Sequence, residues 1–346
     1  MSLKILHSAD WHLDSPFSGF TPEQRLLLRR YQRKIPAMLG TLLGQERCDL
    51  VLLAGDLFDG DPSRETLDAL KTAFGEWNVP VLVAPGNHDY CGPGSVWNEE
   101  VWPENVHIFT GGLESVALPE LDCRIYGAGY QSMDCPGLLA GFRAEGPEAY
   151  HIGLLHGDPL GTQSPYCPIT AAQVRSSGLH YLALGHIHKA GSFRAGDTLC
   201  AWPGCPMGRG WDETGEKGVN LITLADTAQL QWIPLNTLRF FEMEAEAAQL
   251  EQLLPAAGCE DFYRVTLEGF GPVDPDAIGK AYGHLPNLQL IDRTEDPMEL
   301  WAEAGEDTLR GVYFRMLQQI SREEPNAVLA AEISRKLLMG REVSLP

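Results

Sequence analysis

Positive charge is scarce in this 346-residue chain: 26 lysines and arginines stand against 47 aspartates and glutamates, a formal charge of -21. That balance excludes a chain-wide electrostatic grip on nucleic acid and leaves any such contact to a local basic patch. The eight cysteines include no CxxC pair and no zinc-knuckle spacing, which excludes a thiolate zinc site and makes them reduced thiols. There is no uncharged apolar stretch of about 18 or more residues and no signal-peptide pattern, so no membrane association is expected. A soluble, cytoplasmic protein is expected instead. Repeats and low-complexity segments are also missing. The length exceeds that of most single domains, which predicts one large domain and a smaller one.

What is present is a series of short apolar runs, each ending in polar groups. Residues 4–8 lead into Ala9-Asp10-Trp11-His12, and residues 49–54 into Gly55-Asp56-Leu57-Phe58-Asp59. Residues 79–84 lead into Gly86-Asn87-His88-Asp89. Between these runs the spacing predicts a helix over 22–47, with Thr21 as its N-cap, Pro22 at its first position and a kink or break at Pro36. A second helix is expected over 63–77. Shorter strands follow around 106–109, 123–126 and 151–155, the last ending in His156-Gly157-Asp158. After a short helix near 170–176, residues 180–184 end in Gly185-His186-Ile187-His188. From 191 to 235 the pattern is strand-rich, alternating over 219–224 and 229–233, and reads as the second layer closing a sandwich. Strands alternating with helices make this an α/β chain whose sites collect at the carboxyl ends of its strands.

The character changes near 237–241, so a domain of 1–238 is expected, followed by 239–346. The second part has strand patterns at 262–267 and 288–292 and helical ones at 275–282, 309–321 and 327–339. It carries 10 basic and 20 acidic residues, which suits a capping or partner-docking domain better than a nucleic-acid clamp.

The strand ends supply Asp10, His12, Asp56, Asn87, His156, His186 and His188. Oxygen and imidazole donors without thiolate suit Mn, Fe or Zn. A carboxylate such as Asp56 can bridge two ions about 3.5–4 Å apart. Asp10-x-His12 and His186-x-His188 place alternate residues on one side of an extended segment. Each signal by itself has a plain structural reading, since Asn and Asp cap turns and short motifs match by accident. Five of them in order, each closing an apolar run, favour a metal site. Asn87 is expected to hold a metal and His88 to work on the substrate, with Asp89 capping the turn or orienting His88.

In this order the motifs resemble those of the calcineurin-like metallophosphoesterases. Ser8-Ala9-Asp10-Trp11-His12-Leu13, Gly55-Asp56-Leu57-Phe58-Asp59 and Gly185-His186-Ile187-His188-Lys189 resemble the SbcD-type DNA repair nucleases. Asp10-Trp11-His12-Leu13-Asp14-Ser15-Pro16-Phe17 is closer to their YhaO-type branch. Trp202-Pro203-Gly204-Cys205-Pro206, with Glu213 and Lys217-Gly218-Val219 after it, is similar to the segment that follows the last histidines in that group. The resemblance covers roughly the first 235 residues.

It implies a four-layer α-β-β-α sandwich around two divalent metals, usually manganese in the nuclease branch, with a smaller C-terminal α+β domain. By motif, Asp10, His12, Asp56 and His188 would surround one ion, and Asp56, Asn87, His156 and His186 the other. A hydroxide held by the metals would attack phosphorus in line, and His88 would give a proton to the leaving oxygen. Archaeal and eukaryotic relatives often carry histidine at the position of Asp59, whereas bacterial ones commonly have aspartate. That difference bears on exonuclease geometry and not on metal binding.

The expected activity is therefore a metal-dependent phosphodiesterase, a DNA exonuclease or endonuclease of the repair type. Its expected partners are DNA, an SMC-like coiled-coil ATPase subunit and, in a homodimer, a second copy of the chain. Arg25, Arg29, Arg30, Arg33 and Lys34 follow one another without an intervening acid. The spacing of four puts Arg25, Arg29 and Arg33 on one helix face, either as a substrate contact or as a solvated face. Two alternatives stand beside this: a phosphoesterase on nucleotides, cyclic phosphodiesters or phosphoproteins, and a non-catalytic scaffolding subunit.

Overall fold

Strand β1 (Leu3–Ser8) pairs in parallel with β2 (Leu50–Leu53), β2 with β3 (Val81–Val83), and β3 with β4 (Val106–Ile108). These strands come from a computed structural model that describes residues 2–340 apart from 270, 272, 296 and 325. It divides the chain into two compact units, Met1–Phe240 and Phe241–Pro346. Those four single positions and residues 341–346, part of the expected 239–346 module or its end, lie outside the described residues.

A second six-stranded sheet is built from β5 (Glu114–Leu118), β6 (Cys123–Gly127), β7 (Tyr150–His156), β8 (Tyr181–Gly185), β9 (Gly191–Ala195) and β10 (Thr198–Trp202). Its order is β5-β6-β7-β8-β10-β9, with β6, β7, β8 and β10 parallel. The chain then returns to the first sheet with β11 (Gly218–Leu224) and β12 (Ala228–Pro234), which gives that sheet the order β12-β11-β1-β2-β3-β4. The strand-rich 191–235 segment thus divides between the two sheets and does not form one closing layer. Periodicity shows that a segment is a strand, but the sheet it joins is set by long-range pairing.

Strand β2 reads Leu-Val-Leu-Leu and is buried throughout. Leu50 and Leu52 join Ile5, Leu82, Ile152, Leu154 and Tyr181 in the core between the sheets. Val51 and Leu53 point the opposite way by strand alternation, yet both are 0% exposed. On the second sheet Leu155, Leu182 and Leu184 pack with Val174 of the helix Ala171–Ser176. The central strands of each sheet are therefore covered on both faces, which is why they are continuous apolar runs, whereas the edge strands β9 and β12 alternate with exposed residues.

Helices α1 (Pro22–Gln32) and α2 (Ile35–Glu46) connect β1 to β2, and α3 (Arg64–Glu76) connects β2 to β3. Thr21 caps α1 in a reciprocal capping box with Gln24, and Pro22 occupies the first turn as its sequence predicts. The expected break at Pro36 falls two to three residues earlier, between Gln32 and Ile35. Pro36 then lies in the first turn of α2, where its missing N–H costs no helical hydrogen bond.

Beyond the first unit, β13 (Phe240–Ala245), β14 (Phe262–Leu267) and β15 (Leu288–Asp292) form a three-stranded sheet over a core that includes Leu250, Val265 and Leu267. Helices Leu309–Ile320 and Asn326–Leu338 meet around Phe314 and Ala331. Among the described residues no helix is long and apolar enough to cross a membrane.

Candidate metal centre

Five strand ends open onto one place: the loops after β1, β2 and β3 of the first sheet, and those after β7 and β8 of the second. The first two loops are tied to each other by main-chain bonds, from Asp10 N–H to the Gly55 carbonyl at 3.0 Å and from His12 N–H to the Asp56 carbonyl at 2.9 Å. The Asp10 carboxylate in turn accepts the His186 N–H at 3.0 Å, joining the two sheets at the site.

Asp10, His12, Asp56 and His186 all have positive φ, at 55°, 46°, 53° and 93°. The expectation that Asp10 and His12 alternate on an extended segment is therefore replaced by another geometry. Both side chains reach the site, but through a chain that enters the left-handed region at each of them. Such backbone costs about 1–3 kcal/mol per residue and is characteristic of functional sites.

Three groups of side chains are close enough to hold a metal ion: Asp10, His12 and His188; Asp10, Asp56 and His156; and His12, Asp56 and His88. In each, one donor atom per residue lies within 4.8 Å of the others. The Nε2 atoms of His12 and His188 face each other at 3.2 Å. His156 Nδ1 donates to the Ala54 carbonyl at 2.8 Å, so its Nε2 lone pair points at Asn87 Oδ1, 2.9 Å away, and at Asp56 Oδ2, 3.4 Å away. His186 is outside these groups, its ring 5.2 Å from that of His156 and 4.7 Å from that of Tyr166.

The surrounding hydrogen bonds explain the order of the site. Asp89 does not orient His88. Its carboxylate accepts main-chain N–H groups from Gly86 at 2.7 Å and Leu57 at 2.8 Å, binding the β3 turn to the loop after β2. Burial and the charge of Asp56 push Asp89 up to about 7, against the pull of those bonds. The group that orients His88 is Asp59, whose Oδ1 lies 3.0 Å from His88 Nδ1. That bond raises the His88 pKa above its usual value, outweighing partial desolvation, and engages Nδ1 rather than Nε2.

On the other side, Glu213 is 5% exposed and lies 2.7 Å from His188 Nδ1. Arg209 holds the same carboxylate through Nη2 at 2.8 Å and through its own N–H at 2.8 Å. Burial would raise the Glu213 pKa, but these donors outweigh it and hold the carboxyl well below its usual range. With the Nδ1 proton shared with Glu213, His188 presents Nε2 to the site. Sequence reasoning placed Glu213 in a family-like segment without a role and did not single out Arg209. Nothing local links either to His188, which lies more than 20 positions away.

The residues fit a divalent cation. Asp10 and Asp56 are 0% and 1% exposed, and among the described residues neither pairs with a lysine or arginine. Buried carboxylates without a cation are costly, and burial accordingly raises the Asp10 pKa. Burial also holds His12 far below its usual pKa, with Arg209 adding to the effect, so its imidazole is neutral and able to ligate. His12 Nδ1 is buried without a hydrogen-bond partner. The donors are oxygen and nitrogen only, the chemistry of Mn, Fe or Zn. The nearby thiol of Cys205 is pushed up by burial and stays protonated.

Arg33 is the C-cap residue of α1 and pairs with Glu65 of α3 at 3.0 Å, while the Lys34 ammonium lies over the Tyr31 ring. The basic stripe, which has no acid between its basic residues, thus meets one from the next helix.

Comparison with known proteins adds four observations. A family model described as calcineurin-like phosphoesterase matches residues 3–190. The uncharacterized metallophosphoesterase YhaO of Bacillus subtilis (strain 168) is 36% identical over 239 residues, 64% of this chain and 57% of its own length. The chain therefore spans little more than half of that relative. The SbcD component of the nuclease SbcCD from Staphylococcus epidermidis is 24% identical over 284 residues, 70% of this chain and 72% of that protein. Among solved structures, TT1561 of Thermus thermophilus overlays with a TM-score of 0.42 and 14% identity, covering 67% of this chain and 99% of that one.

Proposed function

The chain belongs to the calcineurin-like phosphoesterase family, and from that premise we propose that it is a two-metal phosphodiesterase whose substrate is DNA, working with manganese. Asp10, His12, Asp56 and His188 would hold one ion, and Asp56, Asn87, His156 and His186 the other. The observation that carries this reading is the Asp56 carboxylate, buried and facing both His12 at 3.7 Å and His156 at 3.4 Å, with no lysine or arginine among the described residues to balance it. When bound, the ions supply Lewis acidity, neutralising phosphoryl oxygens and making water a nucleophile at neutral pH. A water oxygen bonds to phosphorus as the opposite P–O bond breaks. His88 gives its Nε2 proton to the departing oxygen and regains one from solvent, to which the attacking water loses its own.

Support for DNA comes from the similarity to the SbcD component of that nuclease, with Arg25, Arg29 and Arg33 as proposed backbone contacts, Arg33 being shared with Glu65. For the second unit we propose partner docking, to a coiled-coil ATPase of the SMC-like kind. In its favour, the helix Leu309–Ile320 exposes Leu309, Val312, Tyr313, Met316 and Ile320, which recur at helical spacing along one face. A cytoplasmic location and a homodimer belong to the same reading. The formal charge of -21 favours a second reading, a small phosphodiester such as a nucleotide or cyclic diester. A manganese-dependent nuclease assay on single- and double-stranded DNA, with and without a candidate ATPase, decides between them. Cleavage of bis(p-nitrophenyl) phosphate with no cleavage of DNA under any condition would select the small substrate, and inactivity on all of them would select a scaffolding role.

Two variants probe the site's construction. A Cβ at Gly86 would fall on the Asp56 carboxylate and 2.8 Å from His156 Nδ1. Gly86→Ala is thus expected to fold but to retain much less manganese after dialysis, as measured by atomic emission. Glu213→Gln removes the charge that fixes the His188 tautomer, and is expected to weaken binding of one manganese about 10–100-fold. Calorimetric titration showing two sites of unchanged affinity would exclude that role.

A further inference from the structure

Lys217, part of the segment after the last histidines, has no task in the reading above. It is 7% exposed, and among the described residues no hydrogen bond or ion pair reaches its ammonium. The covered part is its aliphatic stem, while the ammonium reaches solvent in the cavity it lines.

Lys217 lines a cavity of about 790 Å³ that opens beside His188. Another wall is Trp232, whose indole N–H donates to the Pro203 carbonyl at 3.1 Å and is thereby pinned. A Cβ at Gly218 would fall on the Ile233 carbonyl and lie 2.7 Å from the Trp232 ring, so the close approach of the neighbouring strand and its indole requires glycine. Glu213 also faces the cavity, but its charge is taken by His188 and Arg209. Lys189, Asp212 and Glu216 complete the charged lining; all three are exposed, and water screens them. Among the described residues of the lining, Lys217 is the charged residue that is mostly covered by protein and has no ion-pair partner.

We propose that this cavity is the subsite for the nucleotide adjoining the scissile phosphodiester, with its phosphate on Lys217 and its base against Trp232. Lysine binds phosphate as a point charge, and bases stack on aromatic rings without regard to sequence. The volume is in the range of sites for small ligands, about 300–1,000 Å³. The proposal rests on the phosphodiesterase reading and narrows it to substrates that continue beyond the cleaved bond.

The test is calorimetric titration of the manganese-loaded protein with thymidine 3′,5′-bisphosphate and with each thymidine monophosphate, for the parent and for Lys217→Met. In the parent the bisphosphate is expected to bind about 10-fold or more tightly than either monophosphate, the worth of one charged hydrogen bond. Lys217→Met is expected to abolish that advantage. Equal affinities in the parent, or an advantage that survives in Lys217→Met, would overturn the proposal. Thermal unfolding guards against a structural role: replacing a lysine whose ammonium has no protein partner by an apolar side chain of similar length should leave the midpoint equal or higher. A clear fall would give Lys217 a structural partner and count against the subsite. Hydrolysis of bis(p-nitrophenyl) phosphate tests the underlying reading separately. A protein inactive on it that still shows the Lys217-dependent advantage would lose the phosphodiesterase reading and keep the phosphate subsite.

Discussion

Asp56→Asn is expected to abolish paired metal binding and to slow hydrolysis of DNA or bis(p-nitrophenyl) phosphate by roughly 10³-fold, the several kcal/mol that metal ions contribute to such transition states. Asp56 Oδ2 faces His12 and His156, while Oδ1 accepts the His88 N–H at 2.9 Å. Asparagine can keep the second contact, so the β3 turn should survive. What it cannot do is carry the charge that two ions would share. The same argument sets a second sign. Without metal, Asp56 repels Asp10 and Asp89, both buried nearby. In chelator the Asn variant should therefore unfold at the same or a higher temperature than the parent, and in manganese at a lower one. Two equivalents of manganese bound by Asp56→Asn, measured by atomic emission after dialysis, would remove Asp56 from its bridging role.

His88→Gln is expected to separate binding from turnover. Its side chain is about 41% exposed at the rim of the site, in contrast to the buried His12 and His156. Metal content should match the parent, and kcat on DNA should fall about 10²–10⁴-fold, the usual worth of a positioned general acid. The loss on bis(p-nitrophenyl) phosphate should be smaller, because p-nitrophenolate leaves readily without a proton. A kcat on DNA equal to the parent's would take His88 out of the mechanism.

Asp59 gives this a pH signature. The Asp59 bond raises the His88 pKa, so the acid form persists to higher pH and activity is lost as pH rises through that value. Asp59→Asn removes the raising charge, and the alkaline limb of kcat/KM against pH should move to lower pH. A limb in the same place would mean that another group titrates there.

The clustering of donors at five strand ends was legible because each strand is a short apolar run and each turn after it is polar. Both are properties of a few consecutive residues. Helix starts were legible for the same reason, as at Thr21 and Pro22, and so were the limits of α3 and of the strands near 262 and 288. Where the reading missed, the cause was distance along the chain. Asp89 neighbours His88 in sequence, but it is turned under the loop after β2, and the orienting carboxylate is Asp59, 29 positions away. The basic face of α1 shows no acid of its own, yet Glu65 is brought to Arg33 by the packing of α3.

By itself, then, the sequence determined which residues stand at the strand ends and what donor chemistry they offer, since turn composition and hydrophobic period are local. Only the tertiary structure decided which of them converge, that Asp10, His12 and Asp56 do so through left-handed backbone, and that Glu213, Arg209 and Asp59 hold the histidines in place. Those contacts join segments far apart in the chain, and their partners are chosen by the packing of two sheets, which no short stretch of residues encodes.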